Sequence, residues 1–148
     1  MKEIALNIIN YAFKDKVDKG GKPYINHLYR VAENSKKYLV PQKSSDYDTL
    51  YIVALLHDLI EDCVEWKIEH IQAIFNDSEI TDAVKRLTKD KSLTYQENIK
   101  RVVGNRFSHA VKLSDLEDNM DLSRISNPTD VDLKRVEKYN KAKQYLKT

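Results

Sequence analysis

The chain predicts an all-α, single-domain fold on three observations. Only three glycines and three prolines interrupt its 148 residues, so long segments run without breakers. Apolar residues recur three and four apart in most of those segments, which is the helical period. No stretch shows the apolar–polar alternation of a half-buried strand. The length suits one domain spanning 1–148, large enough to bury roughly two-thirds of its unfolded surface.

The elements follow in order. Ala5, Ile8, Ile9, Ala12 and Phe13 make an amphipathic first helix. "DKVDKGGKPY" breaks that pattern and reads as a loop. A second helix starts near Tyr24, with Leu28, Val31, Ala32, Ser35 and Leu39 on one side. After the loop "VPQKSS", Ser45 with Asp48 resembles an N-cap, and one buried helix is expected from about 46 to 62. Shorter helices are expected over 67–75 and 78–87. Thr94 and Glu97 have capping-box spacing and open a helix toward Val103. Ala110, Leu113, Leu116 and Met120 step by three, three and four in the next one. "SNPTD" is a loop, and Leu133, Val136 and Tyr139 mark the last helix. The total is about seven.

Bulk properties exclude several functions. Twenty-five basic against 23 acidic residues leave a formal charge of +2, without the basic excess of a dedicated nucleic-acid binder. No apolar run reaches about 18 residues, so no membrane span is expected. The N-terminus carries an acid and an Asn within its apolar part, unlike a signal peptide. The single Cys63 cannot form an internal disulfide, which suggests a reducing, cytoplasmic setting.

The chemistry concentrates where "LYIVALL" runs directly into "HDLIED". Burying charge is costly unless it is paired or bound to a metal. On a continuous helix His57 aligns with Glu61 and Asp58 with Asp62, the two pairs about 100° apart. Imidazole with carboxylates suits manganese, iron or zinc. Taken alone, the stretch also reads as solvating charge at a helix end. His27, at the edge of an apolar stripe, and Asp115, beside the Leu113–Leu116 face with Asn119 one turn later, are candidates to complete a metal sphere. His70 and His109 lack acidic or histidine partners four residues on and are expected to be structural.

Three blocks in order, "KGGKPYINHLYRVA", "ALLHDLIED" and "VKLSDLEDNM", resemble the HD-domain metal-dependent phosphohydrolases. The closer resemblance is to the hydrolase domain of RelA/SpoT-type alarmone enzymes and their small single-domain relatives. It implies a helical HD bundle and one divalent metal, usually manganese, held by His27, His57, Asp58 and Asp115. It implies that Glu61 and Asp62 activate or orient a water. The implied substrate is a small nucleotide, with Lys19, Tyr24 and Asn119 near it. In the family, water attacks the 3′-diphosphate of ppGpp and releases pyrophosphate and GDP. The match has departures. Asp18 stands where the family carries a base-stacking arginine, and Leu116 and Asp118 replace its usual Arg and His. Two alternatives therefore stand beside a ppGpp hydrolase: a phosphatase of a different nucleotide, and a nucleotide-binding module without turnover.

Overall fold

A computed structural model describes all 148 residues. It is all-helical, with nine α-helices and no strand. Helix α1 covers Lys2–Ala12, α2 Ile25–Ser35, α3 Asp46–Leu56, α4 Leu59–Asp62 and α5 Ile68–Phe75. Helix α6 covers Ser78–Leu87, α7 Tyr95–Val102, α8 Arg106–Met120 and α9 Asp130–Lys147. No helix is long and apolar enough to cross a membrane.

Helix α3 is the hub. Leu50 and the run Ile52–Leu56 are all buried, because α1, α2, α6 and α8 pack around it. The second half of the helix, enclosed by these neighbours, needs no polar face, which explains the apolar run up to Leu56. Its start is held by an acid from within. Asp46, fully buried, accepts hydrogen bonds from the backbone N–H of Gln42 and Lys43 and pairs with the Arg106 guanidinium of α8. These donors hold its carboxyl below the usual carboxylate range, the Arg106 hydrogen bond most of all. Ser45 precedes the helix but makes no side-chain cap, and Asp46 instead ties the preceding loop to the helix start through Gln42 N and Lys43 N.

Three other expectations change. The helix expected from 46 to 62 ends at Leu56, and His57 and Asp58 form a turn before the four-residue α4. That break divides one of the expected segments, and the total is nine rather than about seven. On α9, Leu133 is 55% exposed, while Asp132, Ala142 and Leu146 are buried. Leu146 and Ala142 close a second small apolar cluster with Ile99, Val102, Leu113 and Leu116. Helix α2 ends at Ser35 and a 3-10 turn, Lys36–Tyr38, separates it from Leu39, while α8 starts at Arg106, four residues before Ala110. Thr94 and Glu97 form the predicted capping box, and Thr129 with Asp132 forms another.

The loop from 14 to 24 is tightly built. Val17 and Pro23 form an isolated antiparallel bridge. Asp18 Oδ1 accepts from Gly20 N at 2.9 Å and Lys22 N at 3.0 Å. Gly21 sits at φ +81°, which favours glycine. A Cβ on Gly20 would lie 2.6 Å from the carbonyl oxygen of Arg124, so this loop closes on the segment after α8 through a residue with no side chain.

Candidate metal centre

Three structural pieces meet at one point. Helix α2 supplies His27, the α3–α4 turn supplies His57 and Asp58, and α8 supplies Asp115. The turn does what a straight helix could not: it brings adjacent residues 57 and 58 to one centre. His27, His57 and Asp58 offer donor atoms all within 4.8 Å of one another. Asp115 Oδ1 lies 3.1 Å from His27 Nε2 and 3.3 Å from His57 Nε2. Asp58 Oδ2 lies 3.2 Å from His57 Nε2 and 3.7 Å from His27 Nε2. His27, His57 and Asp115 are buried.

Both imidazoles are oriented from behind. His57 Nδ1 lies 2.6 Å from the Ala54 carbonyl oxygen. A carbonyl only accepts, so Nδ1 carries the proton and Nε2 faces the carboxylates. His27 Nδ1 lies 2.6 Å from Asp118 Oδ2, so its Nε2 also points inward. Asp118 is itself gripped by Arg30, with Nε 2.7 Å from Oδ1 and a second guanidinium nitrogen 3.1 Å from Oδ2. Burial raises the Asp118 carboxyl, but hydrogen bonds from His27 and Arg30 bring it down to about 2. On the other side, Asn119 donates to Asp115 Oδ1 at 3.0 Å and Lys112 to Asp115 Oδ2 at 3.1 Å. Tyr24 donates a short hydrogen bond to Asp58 Oδ2, and its ring packs on that of His27. Every inward group thus has an outer partner, the arrangement that orients metal ligands.

The donor set fits a divalent cation. Two imidazole nitrogens and two carboxylates suit manganese, iron or zinc. The four imidazole–carboxylate distances, 3.1–3.7 Å, are close to the spacing of about 3.0–3.5 Å between neighbouring donors around one ion with bonds of about 2.1 Å, while Asp115 lies outside the tighter His27–His57–Asp58 group. In the cation-free protein the two imidazoles face the carboxylates directly. Burial lowers the affinity of His27 for its proton, but hydrogen bonds to Asp115 and Asp118 prevail and lift it to about 10. His57 is also raised, as the charges of Asp58 and Asp115 outweigh burial.

Glu61 and Asp62 stand apart from this ring. The broken helix turns them onto the wall of the adjoining cleft rather than over His57 and Asp58. Glu61 Oε1 accepts from Lys89 N at 2.9 Å, and Asp62 pairs with Lys16 Nζ at 2.7 Å. Lys16 in turn lies over the Tyr24 ring, 4.1 Å from its centroid. The cleft, about 360 Å³, contains His57, Asp58 and Asp115 in one wall. A second cleft of about 340 Å³ opens on the His27–Asp118 side and is bordered by Lys19. Tyr24 and Asn119 border both. Lys19 is exposed. The remaining histidines are structural, as expected. His70 accepts from Lys67 N at the start of α5, and His109 meets the Leu146 carbonyl at 2.7 Å, fastening α9.

Sequence reasoning missed Asp118, Arg30, Lys112 and Lys16. The one signal for Arg30 and Asp118 is their spacing, each three residues after a candidate ligand on the same helix. Replacing Asp118 with Asn should weaken manganese binding about 10- to 100-fold while leaving helix content unchanged. Calorimetric titration with manganese measures this, and wild-type affinity in the variant would remove Asp118 from the site.

No protein-family model matches the chain, and no curated protein matches it.

Proposed function

We propose that the chain is a metal-dependent phosphohydrolase acting on a nucleotide, with a manganese-class cation held by His27, His57, Asp58 and Asp115. The observation that carries this reading is the convergence of two outward-anchored imidazoles on two carboxylates in the wall of an open cleft. A purely structural polar cluster has no need of a cleft beside it. Bound there, the cation lowers the pKa of a water and offsets phosphate charge.

The chain's own groups supply the rest. Lys112, Lys16, Lys89 and Arg86 border the cleft and attract an anionic substrate. Glu61 uses one oxygen to accept from Lys89 N, leaving the other as proton acceptor from an attacking water. Asp62, anchored by Lys16, holds that water in line. Tyr24 and Asn119 keep Asp58 and Asp115 aimed at the centre.

The resemblance to alarmone hydrolases makes the 3′-diphosphate of ppGpp the first substrate to consider. A different phosphorylated nucleotide is the second reading, and Asp18 favours it. Its carboxylate is committed to the turn through Gly20 and Lys22, so no guanidinium stacks on a base at this position. The test is release of phosphate and pyrophosphate from ppGpp, pppGpp, nucleoside triphosphates and monophosphates with added manganese. Pyrophosphate from ppGpp supports the alarmone reading. Phosphate from other nucleotides with ppGpp inert supports the second. Manganese bound without turnover on the whole panel leaves the binding-module alternative.

A further inference from the structure

One polar group bordering the cleft takes no part in the proposed reaction. Tyr95 opens α7, and its ring packs against the small apolar cluster of Ile99, Leu113 and Leu116. Its hydroxyl oxygen is buried and is the sole buried side-chain polar atom in the protein with no hydrogen-bond partner. A buried hydroxyl without a partner is costly, and buried tyrosines usually find one. Tyr95 borders the same cleft as His57, Asp58 and Asp115.

Its surroundings specify what would satisfy it. Lys138 Nζ lies over the Tyr95 ring, 3.9 Å from the centroid. Lys112, which pairs with Asp115, borders the same cleft and its charge favours the deprotonated phenol. Burial is the main reason that the phenol is pushed up to about 12, so it keeps its proton and acts as a donor. A phenol donor in a cleft lining that also carries Lys112 and Lys138 calls for an anionic acceptor. Lys112 already has Asp115 as its counter-charge, but a neutral sugar or base edge would supply none to Lys138.

We propose that Tyr95 Oη, with Lys112 and Lys138, forms a subsite for a phosphate group of the substrate beside the metal-binding residues. This rests on the phosphohydrolase reading for the identity of the anion. It assigns Tyr95 as a substrate-positioning residue that lies outside all three motif blocks.

The subsite makes two predictions of opposite sign for Tyr95→Phe. The ring and its packing stay, and a buried hydroxyl without a partner goes, so the melting temperature of the free protein holds or rises. The bound phosphate loses a donor, so inorganic pyrophosphate binds about tenfold more weakly. Calorimetric titration of wild type and variant with pyrophosphate, with and without manganese, reads the second effect. Manganese affinity itself should not change. Lys138→Gln should weaken pyrophosphate in the same direction. Equal pyrophosphate affinity in Tyr95→Phe and wild type, including no binding to either, overturns the subsite and is what a hydroxyl satisfied by solvent would give. A fall in melting temperature accompanying the loss overturns it too, since packing would then be the cause. The two readings fail separately. Wild type that takes up no manganese sinks the phosphohydrolase reading, while Tyr95-dependent binding of pyrophosphate to that metal-free protein would still sustain the subsite. Manganese uptake with equal pyrophosphate affinities sinks the subsite alone.

Discussion

Replacing His57 with Ala should abolish manganese binding and catalysis together. The imidazole is one of the two nitrogen donors, and its Nε2 sits 3.2 Å from Asp58 and 3.3 Å from Asp115. Without it, two carboxylates share a pocket that retains His27 as its only imidazole. Loss of a ligand should cost more than the about 10- to 100-fold typical of outer partners, and turnover should fall to background. Glu61→Gln provides the contrast. Glu61 stands outside the donor ring, so the variant should keep manganese at wild-type affinity and lose about 100-fold or more in rate, the contribution of a positioned base. Metal content by elemental analysis and affinity by titration separate the two variants. Activity retained by metal-free His57→Ala would sink the mechanism. Full activity in Glu61→Gln would move the proton acceptor to another residue.

Much of this site was legible because its ligands lie beside strong helical patterns. His27 borders the apolar stripe of α2, and Asp115 borders the Leu113–Leu116 face of α8. Helices α2 and α8 both pack on α3 and on each other, which brings the two residues together beside the 57–58 turn. The turn at 57–58 was not legible. The apolar run up to Leu56 and the i, i+4 spacing beyond it continue a helical period, and neither Gly nor Pro marks the change. The error has consequences for chemistry, since a straight helix pairs His57 with Glu61 whereas the turn pairs it with Asp58. Asp118 was hidden for another reason. An acid three residues after another on a helix reads as solvent-facing, and its partner His27 is 91 residues away. Long-range pairing of polar groups leaves no period in a sequence. Leu133 failed because α9 lies against the body mainly through Ala142 and Leu146, and the apolar residues near its start face outward.

The pH dependence of stability should change sign with the metal. In the cation-free protein His27 holds its proton up to about 10, because hydrogen bonds to Asp115 and Asp118 overcome burial. An imidazole in the unfolded chain releases its proton near 6.5. Between those values the folded state binds more protons than the unfolded one, so stability falls as pH rises. The contribution of His27 is complete below about 6.5 and is lost as pH rises through about 10. His57, also raised, acts in the same direction. The acids act oppositely. Burial raises Asp115, but Lys112 and the two histidines hold it well below the carboxylate range. Asp118 is held near 2, so the stability that both carboxylates contribute is lost only as pH falls below about 4. With a chelator present, the melting temperature should therefore be highest between about pH 4 and 6.5 and should decline steadily to pH 8.5. Manganese reverses the trend. It binds the deprotonated imidazoles in place of their protons, so its stabilisation grows with pH. The gap between metal-loaded and chelated melting curves should widen from pH 6 to 8.5, and His27→Gln should flatten both responses. A gap that stays constant or narrows over that range would show that protons and metal do not compete for these two histidines.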